Sequence, residues 1–186
     1  MAKTDPETIK RDRRKNTQWV VTIFVMTILI SGTISLVSDE VMANSSVVVA
    51  FCILLAIIFL GILFDIIGMA VATADEKPFH SMAARKVPGA QESIRLLRNA
   101  ERVSSICNDV VGDICGIVSG TTSAVIVAAL LRDFSTTSIL ISIGVTALIS
   151  GFTIGGKALG KTVAIKDCTA VVYRVARIMH ALHLFR

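Results

Sequence analysis

The chain has 186 residues, 53% of them apolar and 18% charged, with a mean hydropathy of +0.72. Soluble domains carry about a quarter charged residues, so the composition argues against an ordinary soluble enzyme, and so much apolar surface excludes disorder. The net charge is +5, but the basic residues fall in three blocks, six in 1–18, six in 75–104 and six in 157–186, with Arg132 alone elsewhere. Charge segregated between apolar runs orients a membrane protein. A nucleic-acid face would interleave charge with a soluble fold, so no nucleic-acid partner is expected.

The implied fold class is an all-α integral membrane protein with about four transmembrane helices, a cytoplasmic helical hairpin and a C-terminal amphipathic juxtamembrane helix. Residues 1–18 form a basic cytoplasmic N-terminus, and Trp19–Val37 is the first apolar run, about 28 Å of helix. It is long for a signal-peptide core and no A-x-A cleavage site follows, so a retained span is expected. The connector Ser38–Ser46 holds Asp39 and Glu40 but no Lys or Arg, and reads as an outside loop. Val47–Ala74 is longer than one crossing requires and carries Asp65 within it.

Residues 75–104 read as a cytoplasmic segment, broken by Pro78, Pro88 and Gly89, with short helices expected between these breakers and from Ala90 to Arg102. Val103–Leu131 is the third span, polar in its first half, and Ile139–Ile154 is the fourth, rich in Ser, Thr and Gly. Together 47–156 make the transmembrane domain. Residues 157–186 read as an amphipathic helix at the inner membrane surface, with Val171, Val172, Val175, Ile178, Met179 and Leu182 to one side. This layout puts 18 of 19 Lys and Arg on one side, which predicts a multi-pass protein of the cell membrane with both termini in the cytoplasm.

Asp65, Asp109 and Asp113, with Asn108, are the candidate chemistry. A carboxylate in hydrocarbon costs upward of about 2.5 kcal/mol, so it faces the bundle interior, pairs with a cation or lines a wet cavity. Asp109 and Asp113 are four apart and would share a helical face; oxygen ligands so placed suit a hard cation such as Mg²⁺. The plainer reading starts the third span near Ile114, leaving both solvated at the inner interface. Gly112, Gly116 and Gly120 continue that face at intervals of four, and the pairs Gly151 and Gly155, and Gly156 and Gly160, repeat the spacing, as small-residue faces for close helix packing or dimerisation do.

Gly155–Thr162 (GGKALGKT) satisfies the P-loop spacing literally, but a P-loop follows a strand, and here an apolar helix precedes it. The cysteines Cys52, Cys107, Cys115 and Cys168 lack C-x-x-C spacing and read as buried free thiols. His180 and His183 are three apart and read as interfacial. With no nucleophile–base pair visible, no enzyme is expected.

From about residue 55 to 185 the chain resembles the transmembrane domain shared by the cyclin M and CorB/CorC magnesium transporters. Phe64–Thr73 (FDIIGMAVAT) is similar to that family's span-ending motif, F-[FS]-S-x-x-E-x-A-[LV]-x-[ST], with Asp65 where the family has Ser and Gly68 at its Glu. Glu101–Arg102 resembles the E-R opening of the next span. Gly112–Asp113 matches the G-N pair, and Phe152–Lys157 the G-E-x-x-P-K element, with Thr153 at its Glu and without its Pro. The first span would be an addition, and the family's paired CBS domains do not follow. The resemblance implies a homodimer that binds a partly hydrated Mg²⁺ in an inward-facing polar cavity. Asp65 and Asp113 would be ligands, with Asn108, Asp109 and Thr153 nearby, and regulation would fall to a separate cytosolic protein. The alternative is a non-transporting scaffold or regulator that has lost the site.

Overall fold

The computed structural model describes residues 6–43, 47–133 and 139–182, and every element in them is a helix. Four stretches are long and apolar enough to cross a bilayer: 17–36, 47–73, 100–129 and 142–166. They belong to α1 (Pro6–Ala43), α2 (Val47–Thr73), the rod formed by α5 (Ala100–Ser105), a π-helical turn (Ile106–Gly112) and α6 (Asp113–Asp133), and α7 (Ile139–Lys166). Three short helices complete the chain: α3 (Lys77–Ala84), α4 (Ala90–Arg98) and α8 (Cys168–Ala181).

The α2 helix is central because it is apolar all round, and a helix of that kind needs neighbours or lipid on every side. Its directions follow from what it touches. Ala50 and Leu54 pack with Ile126, Gly61 against Cys115, Asp65 against Gly112 and Gly68 against Asn108, so α6 runs antiparallel to it. On α7, Ile149 packs near Leu54, Gly156 against Ile62, Gly160 against Ile66 and Ala164 beside Val71, so α7 runs parallel. Ile23, Ile30 and Ile34 of α1 lean on Val110, Ile114 and Val118, and the Arg102 guanidinium stacks 5.0 Å over the Trp19 ring.

The start of α1, the end of α2, the start of α5 and the end of α7 therefore share one end of the bundle. A second core closes it: Phe79 of α3, Leu97 of α4 and Val172 of α8 pack with Ala70, Val71 and Ala164. The short helices expected around the breakers and from Ala90 to Arg102 are α3, α4 and α5, the last two meeting at Asn99. The main difference lies in α7. It does not end at Ile154 but continues without a break to Lys166, so the amphipathic segment starts at Cys168 rather than at 157. Gly155 and Gly156 signal an exit in the sequence, yet Gly156 and Gly160 are where Ile62 and Ile66 press against α7. The Gly-Lys-Thr string is thus interior to a helix. α1 likewise runs from Pro6, so residues 6–18 of the basic segment and the first apolar run are one helix.

Candidate functional site

On α2, residues 61, 65 and 68 fall on one helical face, which presents Gly61, Asp65 and Gly68 to the rod opposite. The two glycines bring the rod close: a Cβ at Gly61 would lie 2.9 Å from the Cys115 Cβ, and one at Gly68 would collide with the Asn108 amide oxygen. Between them Asp65 reaches across with a side chain only 8% exposed. Its Oδ1 lies over Gly112, where any side chain would strike it, so the carboxylate fits because residue 112 has none. Gly112→Ala should cost about 1–3 kcal/mol through overpacking, read as a lower melting temperature in detergent; an unchanged melt would refute the contact.

The carboxylate is neutralised from the third side. Lys157 of α7 places Nζ 3.1 Å from Asp65 Oδ2 and donates a hydrogen bond of 3.1 Å to the Gly112 carbonyl oxygen. Asp65 and Lys157 lie equally far along two parallel helices, eighteen residues past Val47 and Ile139, or about 27 Å at 1.5 Å per residue. This meeting depends on α7 remaining helical beyond Gly156.

The Gly112 carbonyl belongs to the π-helical turn, which begins at Ile106, right after α5. Such turns interrupt the regular bonding ladder and occur often at functional positions. Within it Asn108 donates its amide to Ser104 Oγ at 3.3 Å, while its Oδ1 is buried against Gly68 with no donor. Oxygen atoms thus line this stretch of the bundle: the Asp65 carboxylate, the Gly112 carbonyl and the orphaned Asn108 amide oxygen.

The other residues expected at a site are elsewhere. Asp109 and Asp113 are both exposed, and Asp109 accepts a 2.8 Å hydrogen bond from Ser105. Neither shares the cradle with Asp65. Thr153 bonds back to the Ile149 carbonyl at 2.8 Å. Among the described residues, no three His, Cys, Asp or Glu side chains gather as a metal site. Cβ atoms added at Gly116, Gly120, Gly151 or Gly155 would meet nothing within 4 Å, so close packing between the long helices falls to Gly61, Gly68, Gly112, Gly156 and Gly160 among the described residues. Cys107 and Cys115 are buried free thiols, but Cys52 is exposed on α2. Lys157 is the residue that sequence reasoning passed over as a ligand partner.

A second polar side-chain pair joins α4 to α8. His180 Nδ1 lies 2.9 Å from Glu92 Oε1, beside a recess of about 270 Å³ that Lys86, Gly89 and Gln91 also line. Gly89 has φ +89° and a Cβ there would come within 3.2 Å of the Arg177 backbone, so a glycine is needed both for the turn and for the approach of α8. His183 lies outside the described residues. The hydrogen bond from His180 holds the Glu92 carboxyl below its ordinary value of 4.5, against burial, which raises it. A depressed carboxylate contributes stability above its unfolded pKa and loses it as pH falls through the folded one. The melting-temperature gap between wild type and Glu92→Gln should therefore hold above pH 4.5 and close below it; a gap independent of pH would refute the link.

No protein-family model, curated protein or solved structure matches the chain.

Proposed function

We propose that the chain is a multi-pass membrane protein that handles a divalent cation, Mg²⁺ first, at the oxygen-lined cradle of Asp65. One observation carries this reading: a buried carboxylate, backed by a backbone carbonyl, already holds a cationic group in a helix bundle of membrane-spanning length. The orphaned Asn108 oxygen supports it, because hard cations take oxygen ligands from carboxylates, amides and carbonyls alike. The likeness to the cyclin M and CorB/CorC transporters points the same way. The ligand set is narrower than that likeness implied: Asp65, Asn108 and the Gly112 carbonyl, with Asp109, Asp113 and Thr153 outside it. The positive-inside rule supports a cytoplasmic basic end, the end of α2 nearer to Asp65. A homodimer and a separate cytosolic regulator belong to the same proposal.

The test is the melting temperature of the detergent-purified protein titrated with Mg²⁺, Mn²⁺, Co²⁺ and Ca²⁺. A ligand of the folded state stabilises by RT ln(1 + [L]/Kd), about 2.7 kcal/mol at a hundredfold excess. A saturable Mg²⁺ shift should vanish in Asp65→Asn and persist in Asp113→Ala. No shift with any of the four ions at millimolar levels would overturn the reading.

The scaffold alternative has its own observation. Lys157 satisfies Asp65 while Asp109 and Asp113 turn away, so the pair can serve as a permanent brace joining α2, the π-helical turn and α7. Under that reading no cation shifts the melt, and Asp65 and Lys157 can be replaced together without loss of folding.

A further inference from the structure

We infer that Lys157 is a tethered competitor for the cation site: its ammonium fills the Asp65–Gly112 cradle in the cation-free protein and must swing out when a divalent ion enters. This rests on the cation-handling reading above and adds how the site is regulated and what it selects.

Three features carry the inference. The ammonium bridges the carboxylate and the carbonyl at 3.1 Å each, the groups an incoming cation would need. Its exposure is unequal to its partner's, 23% against 8% for Asp65, so the lysine has a way out that the aspartate lacks. The α7 backbone around it is clamped, with Cβ positions at Gly156 and Gly160 only 2.6 and 2.9 Å from Ile62 and Ile66. Any movement therefore falls to the four-carbon stem of the lysine, which is flexible.

Charge makes the two occupants exclusive. One ammonium neutralises one carboxylate; a divalent ion added beside it would leave two uncompensated positive charges in a buried site, where repulsion is weakly screened. With Lys157 withdrawn, the ion meets the Asp65 carboxylate and the Gly112 carbonyl that the ammonium held; the Asn108 Oδ1, buried against Gly68 three residues along α2, has no donor of its own. A monovalent ion would only replace one unit charge with another. The doubly charged ion alone gains over the ammonium, so the lysine acts as a filter against Na⁺ and K⁺.

The full-length protein in detergent supplies the test, with Mn²⁺ binding followed by electron paramagnetic resonance and confirmed by Mg²⁺ competition. Lys157→Met should bind at least tenfold more tightly than wild type, and should also let Na⁺ and K⁺ compete. Binding seen only in Lys157→Met would support the inference equally. Equal or weaker binding in the variant, with wild type binding, would overturn the tethered competitor and leave the cation site standing. No binding in either would overturn both. A second readout needs no variant: the rate at which an acylating reagent modifies Lys157, followed by mass spectrometry, should rise several-fold at saturating Mg²⁺. An unchanged or slower rate in protein that binds the ion would refute the displacement.

Discussion

Replacing Lys157 by Met will destabilise the protein more than replacing Asp65 by Asn. Breaking a buried ion pair costs about 3–5 kcal/mol because one charge is left behind without a partner. Which charge remains decides the cost. Lys157→Met strands a carboxylate that is only 8% exposed and wedged against Gly112. Asp65→Asn strands an ammonium that is 23% exposed, keeps its bond to the Gly112 carbonyl and can extend its stem outward. The double replacement Asp65→Leu with Lys157→Met should recover most of the loss, since apolar substitutes for buried pairs are often neutral or stabilising by about 1–4 kcal/mol. Thermal melts of wild type, Asp65→Leu, Lys157→Met and the double replacement in one detergent complete the cycle. Additive losses would show that the two groups are not coupled and would remove the basis of the proposed site.

Phe79→Ala should be comparably damaging for a different reason. Phe79 is fully buried and packs in the core that holds α3, α4 and α8 against the ends of α2 and α7. Removing a ring from such a position costs about 3–5 kcal/mol, the lost transfer energy plus the cavity left behind. The loss should be local. Residues 75–99 should become the first site of proteolytic cleavage, while the apolar helices stay associated through the separate cluster of Ala50, Leu54 and Ile126. Cleavage no faster than in wild type would show that α3 is held by something other than this ring.

The four long helices were legible because their apolar runs are separated by polar and basic blocks, a pattern that survives any choice of tertiary contacts. Asp65 was legible for a related reason: a carboxylate inside an apolar run stands out. Its partner was not. Lys157 lies 92 positions away, after two glycines that look like the end of a span, and only the close approach of Ile62 and Ile66 explains why the helix continues through them. Asp109 and Asp113 admitted two readings in the sequence, one shared face of the third span or solvated positions ahead of a span starting near Ile114. Their four-residue spacing puts them on one face of an α-helix, but the chain is π-helical from Ile106 to Gly112, and both side chains are exposed. Of the glycines spaced by four, Gly112, Gly156 and Gly160 pack closely while Gly116, Gly120, Gly151 and Gly155 do not, and Gly61 and Gly68, seven apart on α2, carried no such signal.

The stacking of Arg102 on Trp19 gives the molecule a built-in optical reporter. Trp19 is the only tryptophan in the chain, so its emission comes from one place, the seam between α1 and the head of the rod. The first helix packs on the rod, whereas the cradle joins the rod to α2 and α7. Changes in that emission therefore report the attachment of α1 alone, and its spectrum separates the peeling of this outer helix from events in the bundle it leans on.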